Sequence, residues 1–165
     1  MGGSADIAAL ATRVLDEARR RGLKIATAES CTGGLVAAAL TDIPGSSDVF
    51  ERGFVTYAND AKQDMLGVRS ATLEAHGAVS AATAREMAEG ALARARADIT
   101  VAITGVAGPG GGSPAKPVGL VQFATARRNS ATACVEHRFG DIGRAAIREA
   151  ATRVALGLLL AEATR

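Results

Sequence analysis

The sequence predicts an α/β fold, in the form of a three-layer α/β/α sandwich around a mixed, mostly parallel sheet. Strand-like and helical segments alternate over the first two thirds of the 165 residues, and two strand-like segments then follow one another before the last helix. Alternation predicts parallel strands joined by helices, whereas the late hairpin adds antiparallel strands. Apolar residues make up 48% of the chain but aromatic residues only 3%, so aliphatic and alanine side chains must fill the core. We expect a single domain over residues 1–165, with residues 1–4 disordered.

The first predicted helix occupies residues 4–21, because its apolar residues recur at helical spacing before Gly22 ends it. These apolar residues are Ile7, Leu10, Ala11, Val14, Leu15 and Ala18. An apolar strand follows at 23–28 and an apolar, alanine-rich helix at 35–40. The turn between them contains small hydroxyl residues and glycines. Such a turn exposes a side chain at the end of the strand.

The next strand lies within residues 49–57, and its clearest part is 54–57. Asn59 or Asp60 is placed to cap a short helix over residues 61–66, which a glycine ends.

Residues 70–77 allow another short helix, and Ser80 is placed to cap a long alanine-rich helix that ends near residue 97. The segment 98–104 is apolar throughout, which predicts a strand buried on both faces. It runs into the glycine-rich loop 105–114, the most flexible composition in the chain.

Two strands at 118–126 and 131–139, joined by a turn at 127–130, predict the late hairpin. Asp141 is placed to cap the last helix, over residues 144–163, which carries a sustained apolar face.

Composition excludes several classes of function. A net charge of +2 is too small to indicate binding to nucleic acid or to a membrane surface, and no apolar run has the length of a membrane span. Cys31 and Cys134 are too few for a disulfide framework, and His76 and His137 lack the spacing of metal ligands. The chain begins without the pattern of a signal peptide. We therefore expect a cytoplasmic protein that needs neither metal nor cofactor.

The turn at residues 29–34 holds two candidate nucleophiles, Ser30 and Cys31. Backbone N–H groups at the start of the following helix would favour negative charge above the turn. We expect the N–H groups near Cys31 to Gly33 to hold a developing oxyanion. Two alternatives stay open: Ser30 or Thr32 only caps the helix, and Cys31 only packs in the core.

Ser30 needs a base, and neither histidine is placed by a motif, so a Ser–Lys arrangement with Lys62 is favoured over a triad. Burial or a nearby cation would have to lower the pKa of Lys62 before it could act. Tyr57, the only tyrosine, could relay a proton or bind substrate. The structural alternatives are a solvated helix lysine and a tyrosine with a packing role.

Three segments follow strands: residues 30–34, 57–62 and 105–112. Ligands bind outside the carboxyl ends of strands in such sheets, which predicts that these segments share one site. Glycines in the third segment would let backbone amides approach an anion, unless the loop is merely mobile. Arg144 would add a phosphate contact or lie on the surface.

Four motifs occur in one order along the chain and together carry a resemblance. They are ATAESCTGG (26–34), TDIPGSSDVFERGFVTYANDAKQDMLGV (41–68), HGAVS (76–80) and ITGVAGPGGGSPAKPVGLV (103–121). The sequence resembles the CinA C-terminal domain family, in its stand-alone nicotinamide-nucleotide amidohydrolase form. The resemblance extends over nearly the whole chain from the first strand onward.

The resemblance implies hydrolysis of nicotinamide mononucleotide to nicotinate mononucleotide and ammonia. It implies that Ser30 is the nucleophile and that Lys62 and Tyr57 are its partners in proton transfer. The substrate contacts expected are Cys31, Thr32, Gly33, Gly34, Asn59, Thr104, Gly105, Gly108, Gly110, Gly111 and Arg144. One departure from the family pattern is visible: Gly-Asp-Arg commonly precedes the last helix, whereas here two residues separate Asp141 from Arg144.

Two other functions stay open at this point. The pocket could bind a nucleotide without turnover, or the chain could be an interaction module, since family names refer to competence and DNA damage. Weak charge and the lack of aromatic residues among basic ones disfavour direct contact with DNA. We expect a small-molecule nucleotide as ligand, no nucleic acid or membrane partner, and self-association of this alanine-rich chain.

Overall fold

A computed structural model of the protein describes residues 2–165, which form six α-helices, one short 3-10 turn and five strands. The helices are α1 (Gly2–Arg20), α2 (Leu35–Thr41), α3 (Asn59–Leu66), α4 (Ser70–His76), α5 (Ala81–Arg94) and α6 (Arg144–Thr164). The strands are β1 (Ile25–Glu29), β2 (Phe50–Val55), β3 (Ile99–Gly105), β4 (Leu120–Arg127) and β5 (Ala133–Arg138).

The sheet has the strand order β2-β1-β3-β4-β5. Strand β1 pairs in parallel with β2 and β3, whereas β4 is antiparallel to both β3 and β5. Four of the five strands therefore point in one direction. The predicted mixed, mostly parallel sheet is confirmed, and it follows that the carboxyl ends of β1, β2 and β3 lie at one edge.

Helices cover both faces of the sheet, as predicted. Helices α1, α2 and α6 pack on one face, and α5, with α3 and α4 beside it, packs on the other. Strand β3 serves both layers, since Val101 and Ile103 belong to the core under α1 and α6 while Ala102 belongs to the core under α5. Because alanines dominate the α5 side of the sheet, that helix lies close to the strands.

Most predicted elements are present with ends shifted by a few residues. Helix α1 begins at Gly2, so residues 2–4, expected to be disordered, are helical, and Met1 lies outside the described residues. Residues 70–76 do form a helix, and Ser80 caps α5 by accepting a hydrogen bond from the Thr83 amide at 3.0 Å.

Two predicted helix caps are wrong. Helix α3 is preceded by Ala58 in extended conformation, and Asn59 and Asp60 lie inside its first turn, where Asp60 suits the helix dipole. Helix α6 is preceded by Gly143 at φ +94°, a conformation that disfavours a residue with a side chain, so Asp141 does not cap it.

Candidate active site

The carboxyl ends of three parallel strands surround a cavity of about 290 Å³. Ser30 follows β1 directly, α3 with Lys62 follows β2, and the glycine-rich loop follows β3. The sequence-predicted residues that line the cavity are Ser30, Cys31, Tyr57, Asn59, Lys62, Thr104, Gly105, Gly108, Gly110, Gly111 and Arg144. The predicted convergence of the three segments is therefore present in the fold.

Ser30 and Lys62 form the chemical centre of the cavity. Lys62 Nζ lies 3.0 Å from Ser30 Oγ, although 32 residues separate the two in sequence. The same Nζ donates to the carbonyl oxygens of Thr56 at 2.9 Å and Tyr57 at 3.2 Å. Both carbonyls belong to the short segment between β2 and α3, so the backbone that leads into α3 also holds the end of its lysine.

Burial lowers the pKa of the Lys62 amine from its ordinary value of 10.5. The side chain is only 1% exposed, and no carboxylate among residues 2–165 forms an ion pair with it. A neutral amine has two N–H bonds and one lone pair. In the neutral form, N–H bonds to Thr56 O and Tyr57 O leave the lone pair to accept the Ser30 hydroxyl proton, as a general base requires, whereas the charged form donates to all three oxygens.

Cys31 is a poor nucleophile in this environment. Burial raises the pKa of its thiol to about 11, and the negative charge of Glu29 acts in the same direction. The reactive form of cysteine is the thiolate, which is scarce at neutral pH when the pKa is so high. Of the two candidates in the turn, the structure therefore favours Ser30.

Tyr57 occupies a different position from the one that the resemblance implied. Its side chain is 61% exposed, and its hydroxyl lies 2.9 Å from Arg144 Nη2. Within the described residues, the hydroxyl makes no hydrogen bond to Ser30 or Lys62; only the backbone carbonyl of Tyr57 reaches the lysine. The tyrosine side chain therefore lies at the mouth of the cavity and outside the Ser–Lys pair.

Arg144 reaches the cavity although two extra residues precede it. It is the first residue of α6, and its Nη1 donates to Gly108 O at 2.8 Å while its Nη2 contacts the Tyr57 hydroxyl. The guanidinium thus joins the glycine-rich loop to the opposite rim. Since the lining formed by the described residues contains no carboxylate, this end of the cavity suits an anionic group such as a phosphate.

Three predicted contact residues do not line the cavity. Thr32 is fully buried, and its hydroxyl donates to Glu29 Oε1 at 2.7 Å. Gly33 and Gly34 have φ values of +59° and +103°, a region that glycine adopts without strain. These residues shape the turn that carries Ser30 and do not line the cavity.

Glu29 was missed by sequence reasoning, and it leaves only the amides of the turn itself as oxyanion donors. Its buried carboxylate accepts hydrogen bonds from the amides of Val36 at 2.9 Å and Ala37 at 3.1 Å. Those are the N–H groups at the start of α2 that the sequence suggested for an oxyanion. Because Glu29 already occupies them, any oxyanion donor has to come from the turn itself. The signal was a carboxylate directly before Ser30.

Arg148 was also missed. Its Nε donates to Cys31 O at 3.1 Å and its Nη2 to Thr32 O at 3.2 Å. Helix α6 therefore binds the carbonyl groups of the turn at residues 29–34, which we call the nucleophile turn. Its position four residues after Arg144 places both arginines on one face of α6, which is the spacing that could have pointed to it.

Four small apolar residues complete the lining: Ala78, Val79, Val106 and Ala107. The first two belong to the segment after α4, which the sequence left undefined. Thr104 Oγ1 holds that segment against β3 by donating to Ala78 O at 2.8 Å. These residues give the cavity an apolar wall next to the Ser–Lys pair, as a ligand with a flat ring would require.

Residues 2–165 contain no group of three or more His, Cys, Asp or Glu side chains arranged to hold a metal ion. In the same residues, no helix combines the length and the apolarity needed to cross a lipid bilayer.

The sequence profile of the CinA C-terminal domain matches residues 7–163 of this chain. The chain belongs to the CinA C-terminal domain family. The family resemblance drawn from the four motifs is thereby confirmed.

Similar proteins of the CinA family differ in length. A protein named nicotinamide-nucleotide amidohydrolase PncC, from Escherichia coli strain K12, is 55% identical over 91% of this chain and 90% of its own length. A CinA-like protein from Synechococcus sp. strain RCC307 is 54% identical over 94% of this chain. The chain spans only 24% to 37% of that protein and of four further curated relatives it matches.

The fold is shared with solved CinA-family structures. A crystal structure of a competence/damage inducible protein, CihA from Agrobacterium tumefaciens, superposes with a TM-score of 0.94 at 57% identity. The match covers 97% of this chain and 96% of that one. The α/β/α architecture is therefore that of the family.

Proposed function

We propose that this chain is an amidohydrolase that converts nicotinamide mononucleotide to nicotinate mononucleotide and ammonia. The observation that carries the proposal is the 3.0 Å contact between Ser30 Oγ and a buried Lys62 Nζ at the floor of the cavity. The substrate class follows from the chain's 55% identity, over nearly its full length, to a protein named nicotinamide-nucleotide amidohydrolase. The carboxyl-free lining, with Arg144 at one end, suits a ligand that carries a phosphate.

In the proposed reaction, neutral Lys62 removes the proton from Ser30 Oγ as that oxygen attacks the carboxamide carbon. The C–N bond then breaks, the proton on Lys62 passes to the leaving nitrogen, and ammonia departs. Ser30 is left as an ester of the nicotinate mononucleotide carboxyl group. Water cleaves this ester with Lys62 again as base, which releases nicotinate mononucleotide and restores the Ser30 hydroxyl.

The amide of Cys31 is the oxyanion donor in this mechanism. Cys31 lines the cavity directly after the nucleophile, and among the described residues its amide donates to no backbone carbonyl. The Gly33 amide, by contrast, donates to Ser30 O at 3.0 Å. A fixed backbone donor aimed at developing charge is worth about a hundredfold or more in rate.

Arg144 and the backbone of the glycine-rich loop bind the substrate phosphate in this proposal. The nicotinamide ring then lies against Val79, Val106 and Ala107, with its carboxamide at Ser30. Thr104, Gly105 and Asn59 supply the remaining wall around the ribose.

The test is to incubate the purified protein with nicotinamide mononucleotide and to measure ammonia and nicotinate mononucleotide. We expect product from the wild type, none from Ser30→Ala, and product from Cys31→Ala, which keeps the backbone amide. Ser70→Ala, a change at an exposed serine of α4, is the matched control. Unchanged product formation by Ser30→Ala would contradict the assigned nucleophile. A folded wild type that binds the nucleotide and makes no product would favour a binding module.

The remaining features of the proposal concern the whole protein. We propose that residues 1–165 act as one CinA-type domain, in the cytoplasm, as a homo-oligomer and without a nucleic-acid partner. The net charge of +2 and the low aromatic content support the absence of nucleic-acid contact. Size-exclusion chromatography with light scattering would determine the oligomeric state.

A further inference from the structure

We propose that Arg148 is a positioning residue, which orients and polarises the oxyanion-binding amide of Cys31 through two peptide groups of the nucleophile turn. This inference rests on the proposed function, because it assigns a role in the same reaction. Arg148 itself is not among the residues that line the catalytic cavity.

The path from Arg148 to the cavity is a continuous series of hydrogen bonds. Arg148 Nη2 donates to Thr32 O at 3.2 Å, and the same planar peptide group carries the Gly33 N–H on its opposite side. Gly33 N–H donates to Ser30 O at 3.0 Å. The peptide group of that carbonyl carries the Cys31 N–H, again on its opposite side, and this N–H is the proposed oxyanion donor.

A cation at one end of such a series strengthens the donor at the other end. Each hydrogen bond polarises the next peptide group, so positive charge on the guanidinium increases the partial charge on the Cys31 N–H. A second bond, from Arg148 Nε to Cys31 O at 3.1 Å, fixes the following peptide group as well. The guanidinium therefore fixes the orientation of the peptide groups in the turn and polarises them.

The carboxylate of the nucleophile turn has other partners, since Glu29 accepts hydrogen bonds from the Thr32 hydroxyl and from two backbone amides of α2. Among the described residues no ion pair includes Arg148, and its neighbour Glu149 pairs with Arg153 at 3.0 Å. Arg148 is half-buried, so water screens its charge less than that of an exposed arginine. Because Arg148 has no direct ion-pair partner among the described residues, its charge is available to stabilise an anion that develops at the turn.

Gly33 allows this approach. A Cβ atom at Gly33 would lie 3.3 Å from Arg148 Nη2, closer than most such contacts, and the φ of +59° further disfavours a side chain there. No side chain therefore covers the backbone of the turn on the side where the Arg148 guanidinium lies.

The experiment compares Arg148→Ala and Arg148→Lys with Arg153→Ala, a control on an exposed face of the same helix. Two rates are measured for each. The first is the turnover of nicotinamide mononucleotide, as kcat and KM separately. The second is the phosphonylation of Ser30 by a fluorophosphonate, followed by intact mass, in which Ser30 Oγ displaces fluoride and a P–O bond replaces the P–F bond.

We expect Arg148→Ala to lower kcat and the phosphonylation rate together by about 10- to 100-fold, since loss of an oxyanion donor costs a hundredfold or more. KM should change by less than about threefold. Arg148→Lys keeps the charge with fewer directed donors and should recover part of both rates, whereas Arg153→Ala should match the wild type.

Equal rates in folded Arg148→Ala and Arg153→Ala would overturn the proposal, as would a change confined to KM or to the melting temperature. If Arg148→Ala does not fold, a wild-type kcat in Arg148→Lys would overturn it. Labelling distinguishes the two proposals: a wild type that is phosphonylated at Ser30 but makes no nicotinate mononucleotide contradicts the proposed function alone. A wild type that is not phosphonylated at all contradicts the positioning role.

Discussion

Lys62 lies in an environment that is unusual for a lysine. Lysines normally keep their ammonium group in water, yet this one is 1% exposed and points at a serine hydroxyl. Two backbone carbonyls satisfy the N–H bonds of its neutral form, so burial can lower the pKa without leaving donors unpaired. The same burial that would be costly for a structural lysine prepares a base.

Tyr57 provides a test at the residue scale, because its hydroxyl contacts Arg144 at 2.9 Å. We expect Tyr57→Phe to leave kcat for nicotinamide mononucleotide within about threefold of wild type, since Lys62 is the proposed general base. KM should rise by about two- to tenfold as Arg144 loses one partner. Steady-state kinetics of the variant measures both. A fall in kcat of more than about a hundredfold would instead assign Tyr57 to proton transfer.

At the scale of elements, α3 is the helix that carries Lys62, and its position depends on α5. Gly90 of α5 faces the end of α3, where a Cβ atom would overlap the carbonyl oxygen of Leu66. The backbone of α3 therefore lies directly on α5. Any side chain at Gly90 would push α3, and with it Lys62, away from β1.

We expect Gly90→Ala to lower the free energy of unfolding by about 1–3 kcal/mol, through overpacking, and to reduce kcat. Gly157→Ala in α6 is the matched control, because nothing lies within 4 Å of its added Cβ. That variant should gain about 0.5–1 kcal/mol from helix propensity. Urea unfolding followed by circular dichroism measures both changes. A Gly90→Ala protein as stable as Gly157→Ala would show that the α3–α5 approach is not tight.

For the whole molecule, the parallel strands decide where the site lies. Three strands with the same direction bring Ser30, Lys62 and the glycine-rich loop to one edge of the sheet, and this much could be predicted from strand order and turn composition. The contact between Lys62 and Ser30 could not, because burial of an amine depends on how α3 packs. The pair itself was favoured because no motif places a histidine near Ser30, and the family resemblance implied it as well, but neither argument shows that Lys62 is buried.

Local chemistry in the turn was the least predictable part. The sequence suggested that the first amides of α2 add to an oxyanion site formed by the amides near residues 31–33, whereas Glu29 occupies the α2 amides. It also assigned Thr32 to the ligand, although Thr32 is fully buried and bonded to Glu29. Both errors have one cause. The Glu29 carboxylate accepts the hydrogen bonds that were expected to go to a ligand, and the sequence does not show which way the side chains of Glu29 and Thr32 point.

The burial of Lys62 makes the free energy of unfolding of the whole molecule depend on pH. Because its pKa is lower in the folded protein than the ordinary 10.5, the unfolded state binds more protons between those two values. The wild type therefore gains stability as pH rises through this window, by up to about 1.4 kcal/mol per pH unit. In Lys62→Met that gain is absent.

The measurement is the free energy of unfolding in urea for both proteins between pH 7 and pH 10. The difference, wild type minus Lys62→Met, should increase with pH, while contributions from other titrating groups cancel. A difference that stays constant, or that decreases with pH, would contradict a lowered pKa.

Lysine titration by NMR shows whether Lys62 is available as a neutral base beside Ser30. The chain has only three lysines, Lys24, Lys62 and Lys116, so labelling of the lysine ε position gives a simple spectrum. The signal lost in Lys62→Met identifies Lys62. We expect that signal to titrate clearly below pH 10.5, with a midpoint that coincides with the acidic limb of kcat/KM. Titration at or above 10.5 would contradict a neutral Lys62, because the amine would then be charged at the pH of the proposed reaction.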